Sequence, residues 1–330
     1  MNMPLLDINY YQFTKQLSRY PLNVMLETSA VCNIKCPMCP RTTDNRKKRK
    51  DGILTPDNYE KIMEQLKPHI MTLHYSGEPM LNENLPLMCF LAKNKYEIPY
   101  TKINTNGTLM KEDNKKKYTA MAVTKRKDGS KCETIVDTKN VVEAMLRSGL
   151  DLITFSIECN EEIQKKLRIG SSYKKVKENI IYTSRVLNAL RKRGMTNTEI
   201  CIQHLKGDDV TPIMLADSKR MWEEQYGVPV KIASICTIGD QVGDFGSVRE
   251  EKANCREVWT NMIINWNGDV TPCCVDHAFQ IPFGNILKQP LEKVWTNKKI
   301  SKLRKQHTMF NKLGTKKGMP KLCKQCLGSK

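Results

Sequence analysis

Apolar positions along this chain of 330 residues fall in two periods, and the switches between them mark out the elements. Short apolar runs of strand type occupy 22–27, 69–75, 100–104, 152–157, 199–205 and 228–235. Stretches of helical period separate them, at 55–67, 85–95, 139–148, 173–193 and 212–226. Thr55-Pro56-Asp57 opens the first helix, with a capping threonine and proline at the first helical position. Gly149, Gly194 and Gly227 stop three of the others. Six strand–helix units imply a parallel sheet under the right-handed crossover rule. Six are too few to close an eight-stranded barrel, so the pattern predicts a partial barrel of α/β type, open on one side.

Two stretches depart from this rhythm. Residues 111–139 hold two alternating runs joined at Asp128-Gly129, which predicts a β-hairpin inserted between a strand and its helix. A substrate or partner contact and a tolerated surface decoration both fit it, and Cys132 within it reads as a bystander. Beyond residue 247 come short strands, turns and cysteines: 262–266 and 270–273 flank the hairpin turn Asn267-Gly268, and 291–306 reads as one amphipathic helix. The organisation expected is a lead-in over 1–21 with a short helix, a partial barrel over 22–247, and a small α+β cysteine-rich domain over 248–330.

No apolar run approaches the roughly eighteen residues that span a membrane, and the first residues lack the basic-then-apolar order of a secretory signal. Thirteen cysteines in such a chain point to reduced thiols and metal sites, and so to an oxygen-sensitive cytoplasmic protein. The 54 Lys+Arg against 35 Asp+Glu give a formal charge of +19, a field that attracts phosphorylated, carboxylated or nucleic-acid partners. Runs such as Lys47-Lys48-Arg49-Lys50 read equally as solvated surface, and no nucleic-acid fold signature accompanies them. An anionic small-molecule substrate stays open; nucleic acid is disfavoured.

Cys32, Cys36 and Cys39 form a C-x3-C-x2-C set just after the first strand, at the carboxyl end where parallel α/β folds place their chemistry. Three thiolates in one loop make a soft, anionic pocket for iron–sulfur or zinc, and a set of three leaves a coordination position open. This spacing resembles that of the radical S-adenosylmethionine (SAM) superfamily. The resemblance implies a 4Fe-4S cluster on the three cysteines. It also implies SAM chelated by the fourth iron, and reductive cleavage to a 5'-deoxyadenosyl radical that abstracts hydrogen. A reductant such as flavodoxin or ferredoxin is implied with it.

The same resemblance gives roles to residues at strand ends. Ser76-Gly77-Glu78-Pro79 stands where the family has its GGEP motif, which implies Gly77, Glu78 and Pro79 at the SAM amino group. Asn104 and Asn106 match the turn near the nucleoside. Ser156 matches a contact to SAM's polar end, with Glu158 where the family has aspartate, and Arg168 matches an arginine aimed at the SAM carboxylate, a task suited to its bidentate geometry. Gln203 is a candidate ribose contact, and Met38 holds the position of an aromatic residue against adenine. His74 reads as a packed strand residue.

Cys255, Gly268 and Cys273 fit C-x12-G-x4-C, and Cys323 and Cys326 form C-x2-C. Four thiolates complete a tetrahedral set, and on spacing alone a zinc ribbon competes with an iron site. Cys274 is placed to exchange with Cys273. The segment resembles the SPASM/twitch auxiliary-cluster domains that follow many radical SAM barrels, which implies a second 4Fe-4S cluster held by Cys255, Cys273, Cys323 and Cys326. Asp276 and His277 come next and are the candidate bases for a substrate proton.

The activity implied is that of a radical SAM oxidoreductase: hydrogen abstraction from a sugar-like or amino-sugar alcohol, with the auxiliary cluster accepting the second electron. A peptide-modifying maturase, an epimerase or methyltransferase, and a non-catalytic metal-binding scaffold are the alternatives. The maturase is weakened because about twenty residues precede the first strand, short of the roughly fifty of a small folded recognition domain.

Overall fold

The computed structural model describes residues 18–42, 49–112, 117–125, 131–235 and 255–327. Its elements begin with β1 (Asn23–Leu26), α1 (Pro56–Met63), β2 (Ile70–Thr72), α2 (Leu85–Asn94), β3 (Tyr100–Thr105), β4 (Tyr118–Lys125) and β5 (Lys131–Thr138). Next come α3 (Val141–Arg147), β6 (Leu152–Ser156), α4 (Glu161–Leu167), α5 (Tyr173–Lys192), β7 (Glu199–Lys206), α6 (Pro212–Arg220) and β8 (Val230–Ser234). The C-terminal part adds α7 (Glu257–Thr260), β9 (Asn261–Ile264), β10 (Asp269–Thr271), β11 (Gly284–Asn285), α8 (Leu291–Thr296), α9 (Lys298–Leu313) and α10 (Lys321–Cys326).

β1, β2, β3, β6, β7 and β8 pair in parallel in that order, the six-unit partial barrel that the periodicity predicts. Side-chain caps open its helices: Thr55, Asn160, Ser172 and Thr211 each accept a backbone N–H two or three residues into the helix that follows. Leu26, Ile103, Ile153 and Phe155 of the strands meet Ile62, Met88, Val142 and Ile180 of the helices in one apolar core. Among the described residues no helix is long and apolar enough to cross a membrane.

Four features differ from the sequence reading. The 262–273 hairpin does not stand apart from the barrel: β9 pairs in parallel with β1, residue by residue from Asn23↔Asn261 to Leu26↔Ile264, and β10 and β11 extend the same sheet in antiparallel fashion. The helix expected over 291–306 breaks at Asn297, whose extended backbone ends α8 while its Oδ1 accepts the Lys299 and Ile300 N–H groups to start α9. The helix over 212–226 passes into a π-turn at Met221–Gln225. The short helix α4, which ends in Arg168, carries too few apolar positions for its period to register. The inserted hairpin is present as β4 paired with β5; its Asp128-Gly129 turn and the expected lead-in helix lie outside the described residues.

One buried amide ties the barrel to the loop after β1. Asn82 is fully buried, and its Nδ2 donates to the carbonyls of Thr28 (2.9 Å) and Leu54 (3.0 Å). Asn82→Ala leaves the Leu54 carbonyl unpaired, at about 1–3 kcal/mol, while the Thr28 carbonyl keeps the Leu54 N–H (3.0 Å). The expected loss is roughly 1–3 kcal/mol of unfolding free energy, read as a lower urea midpoint at unchanged slope.

Candidate active site

The loop after β1 is pinned along its length. Thr28 Oγ1 donates to the Leu73 carbonyl (3.0 Å), Glu78 N–H to the Val31 carbonyl (2.8 Å) and Lys35 N–H to the Ile169 carbonyl (2.8 Å). At its far end Cys39 N–H donates to the Cys36 carbonyl (3.0 Å), and Thr42 Oγ1 caps the Cys39 carbonyl (2.8 Å). Gly77 packs against this backbone so closely that a Cβ would collide with the carbonyl oxygens of Ser29 and Val31. Glycine is therefore obligatory there.

Held this way, Cys32, Cys36 and Cys39 line a cavity of about 400 Å³ at the carboxyl ends of the parallel strands, a volume within the range of small-molecule sites. Met38, Gly77, Glu78, Asn104, Asn106, Ser156, Arg168, Gln203 and His277 line it too, so every strand end of the barrel contributes. Among the described residues no three His, Cys, Asp or Glu converge at the spacing of ligands to one ion. The thiols ring a volume instead. Pro79 stands behind Glu78, opening a 3-10 turn, and is not part of the wall.

Burial sets the electrostatics. Cys32 and Cys36 are both raised by desolvation, and Arg168 partly offsets this at Cys36, its Nη1 lying 4.0 Å from the sulfur. Arg168 is itself held by its Nε to Glu158 Oε1 (2.8 Å), and Glu158, fully buried, accepts the Leu205 N–H on its other oxygen (3.0 Å). Glu78 accepts from Thr105 Oγ1 (2.6 Å) and from the N–H groups of Met80 (3.1 Å) and Asn106 (2.8 Å). Desolvation outweighs these donors and moves its carboxyl from 4.5 up to about 7. His74 accepts the Asn104 N–H at Nδ1 (3.1 Å), and burial lowers its pKa to about 3, so it faces the cavity as a neutral ring.

The candidate bases part company. Asp276 is fully buried and braces its own turn, accepting from Thr271 Oγ1 (2.6 Å) and the N–H groups of Gln280 (2.7 Å) and Ile281 (2.9 Å). Both of its oxygens are engaged and it does not reach the cavity, so the expectation of a catalytic Asp276 is withdrawn. His277 does line the cavity, stacked on Tyr75 at 5.0 Å and 10°. Neither Tyr75 nor Arg49 stands out as a site residue in the sequence. Arg49 lies in the basic run read as surface, yet its side chain is largely covered, pairs with Glu27, donates to the His277 carbonyl (3.2 Å) and sits 4.7 Å over the Phe279 ring.

Cys255, Cys273, Cys323 and Cys326 line a second, smaller cavity, and Cys274 does not. Burial raises Cys323 to about 12 with help from its neighbours Cys255 and Cys326, and raises Cys273 strongly, with its hydrogen bond to Cys274 the largest cause. Val275 belongs to the walls of both cavities.

A model described as the radical SAM superfamily matches residues 26–213. This chain belongs to that superfamily. Residues 255–327 match SPASM, an iron–sulfur cluster-binding domain. An S-adenosyl-L-methionine-dependent 2-deoxy-scyllo-inosamine dehydrogenase of Niallia circulans is 31% identical over 108 residues, which are 31% of this chain and 42% of that protein. Among solved structures, BtrN in complex with AdoMet and 2-DOIA aligns with a TM-score of 0.53 and 17% identity over 93% of each chain. Streptococcus suis SuiB bound to the precursor peptide SuiA aligns with a TM-score of 0.60 and 14% identity, over 91% of this chain and 70% of that one. At these identities the structures establish the shared fold.

Membership brings a 4Fe-4S cluster and SAM as cofactors, and the C-terminal domain brings further iron–sulfur binding. The donor sets fit. Three thiols, with no fourth among the described residues of the wall, edge a cavity that also holds a carboxylate and an arginine, and four thiols from three segments edge the other.

Two outcomes test this reading of the site. Gly77→Ala displaces the first cysteine loop and leaves the C-terminal cysteines alone, so the reconstituted variant should hold roughly half the wild-type iron, one cluster's share of two. Glu78, raised when folded, stabilises the apo-protein below pH 4.5 and loses that contribution as pH rises through about 7. Relative to Glu78→Gln, wild-type stability should fall by about 3 kcal/mol across that window, as read by denaturation at stepped pH.

Proposed function

We propose that this enzyme oxidises a small sugar-like or amino-sugar alcohol by two electrons. The observation that carries the proposal is a shared wall residue: Val275 lines both the cavity of the first cysteine set and that of the second. A substrate in the first cavity would share a wall with the second cysteine set. The likeness to a dehydrogenase of an aminocyclitol points the same way.

When bound, SAM and the first cluster supply a 5'-deoxyadenosyl radical that takes a hydrogen atom, and the auxiliary cluster supplies an acceptor for the remaining electron. The protein's own residues do the rest. Cys32, Cys36 and Cys39 hold the first cluster. Glu78, a buried carboxylate whose protein donors are all neutral, receives SAM's ammonium, and Arg168, oriented by Glu158, faces its carboxylate. Asn104, Asn106, Ser156, Gln203 and Met38 line the nucleoside side. His277 takes the hydroxyl proton. One hydrogen atom, one proton and one electron leave the substrate as a ketone.

The cavity's charge bears on the substrate. Arg41 and Arg168 both line it, but each is engaged by a carboxylate, Asp51 at 3.0 Å and Glu158 at 2.8 Å. Among the described residues no further arginine or lysine lines the cavity, which favours a neutral or aminated alcohol over a phosphorylated one. Peptide modification is the second reading, favoured by the likeness to SuiB with its precursor peptide.

The test is isotope transfer. Reduced, reconstituted enzyme given SAM and a carbinol-deuterated aminocyclitol should place deuterium in 5'-deoxyadenosine and release one ketone per SAM. Transfer from a peptide alone would move the assignment to a maturase. His277→Phe keeps the ring stack on Tyr75 and removes the proton acceptor; its kcat for ketone should fall by about 10²–10⁴, with SAM binding unchanged.

A further inference from the structure

Among the described residues, the second cavity is lined by one polar side chain besides its cysteines, that of His307. α9 is fixed over it by Arg304, whose Nε and Nη1 donate to the carbonyls of Val258 (2.8 Å) and Trp295 (2.7 Å). One turn further on, His307 is 1% exposed and packs edge-on against Trp259, with ring centroids 6.1 Å apart. Neither Nδ1 nor Nε2 of His307 has a hydrogen-bond partner among the described residues. The ring lines the same cavity as Cys255, Cys273, Cys323 and Cys326, and the rest of the lining is apolar or proline, including Val258, Val275, Leu303 and Leu322.

A dry imidazole without a partner bears the full desolvation of its ring nitrogens, so a native chain keeps one where something else satisfies it. A neutral ring carries one N–H donor, and sulfur is the acceptor this cavity offers. We propose that His307 donates this N–H to a sulfur of the cluster held by Cys255, Cys273, Cys323 and Cys326, and thereby raises its reduction potential. The inference rests on the auxiliary-cluster reading given above. A hydrogen bond to cluster sulfur stabilises the more negative, reduced state, and the apolar surroundings strengthen it. His307 is then a positioning residue that makes the cluster a readier acceptor of the substrate's electron.

Pulsed electron paramagnetic resonance of the reduced holoenzyme, labelled with nitrogen-15 histidine, tests the contact without a mutation. Weak coupling of an imidazole nitrogen to the auxiliary cluster, absent in His307→Phe, is the expected result. In a redox titration His307→Phe should carry the auxiliary midpoint to more negative potential with iron content unchanged, and His307→Gln, which keeps an N–H donor, should recover most of the shift. No histidine coupling, or an unmoved midpoint in His307→Phe, overturns the proposal. Strong coupling typical of an iron–nitrogen bond overturns it in favour of ligation. Iron for one cluster only in the wild type, with zinc on the C-terminal cysteines, removes the auxiliary-cluster reading itself and this proposal with it.

Discussion

The contact on which the rest of the molecule depends is the buried pair of Arg49 and Glu27. Glu27 follows directly on β1 and is fully buried, and the Arg49 side chain that meets it is 7% exposed. Such a pair adds little net stability over an apolar replacement, yet removing one partner costs about 3–5 kcal/mol because the other charge is stranded. Its value here is geometric. The guanidinium also reaches the His277 carbonyl and lies over the rings of Phe279 (4.7 Å) and Tyr75 (5.9 Å). One cation thus gathers the start of the cysteine loop, the end of β2 and the 275–279 turn around a single point.

The cavity above that point is balanced in the same way. Burial disfavours charge on Cys32, Cys36 and Glu78 alike, and a site that must hold anionic thiolates needs cations to compensate. Arg168 compensates Cys36 from one side, and Glu158 keeps it from swinging away. Glu78 has only neutral donors, so a cationic group arriving with the ligand restores it to the charged form. A zwitterion oriented with its ammonium toward Glu78 and its carboxylate toward Arg168 satisfies both ends at once.

What the sequence made legible was local. The strand ends, the cysteine spacings and the Asn267-Gly268 turn are set by residues within a few positions of each other, and period and turn chemistry read them directly. Arg49, Tyr75 and His307 were illegible because their meaning comes from partners far along the chain; Arg49 and His277 are 228 positions apart. A lysine-rich run looks the same whether its arginine is solvated or buried. Asp276 was misjudged through adjacency: it turns inward onto Thr271 while His277, one residue on, turns to the cavity. Asn297 shows the same limit for helices, since the apolar period runs through a residue whose side chain caps instead of continuing.

The pairing of β9 with β1 decides how the two cofactor sites stand to each other. Cys32 follows β1 and Cys273 follows β10, and the strands β1, β9 and β10 are neighbours in one sheet. The separation of the sites is thus set by a hydrogen-bonded ladder, which is stiff, rather than by apposition of two independent bodies, which is not. Four consecutive pairs, from Asn23↔Asn261 to Leu26↔Ile264, hold β9 in register with β1. The same sheet that builds the barrel therefore also sets how the two cysteine sets stand to each other.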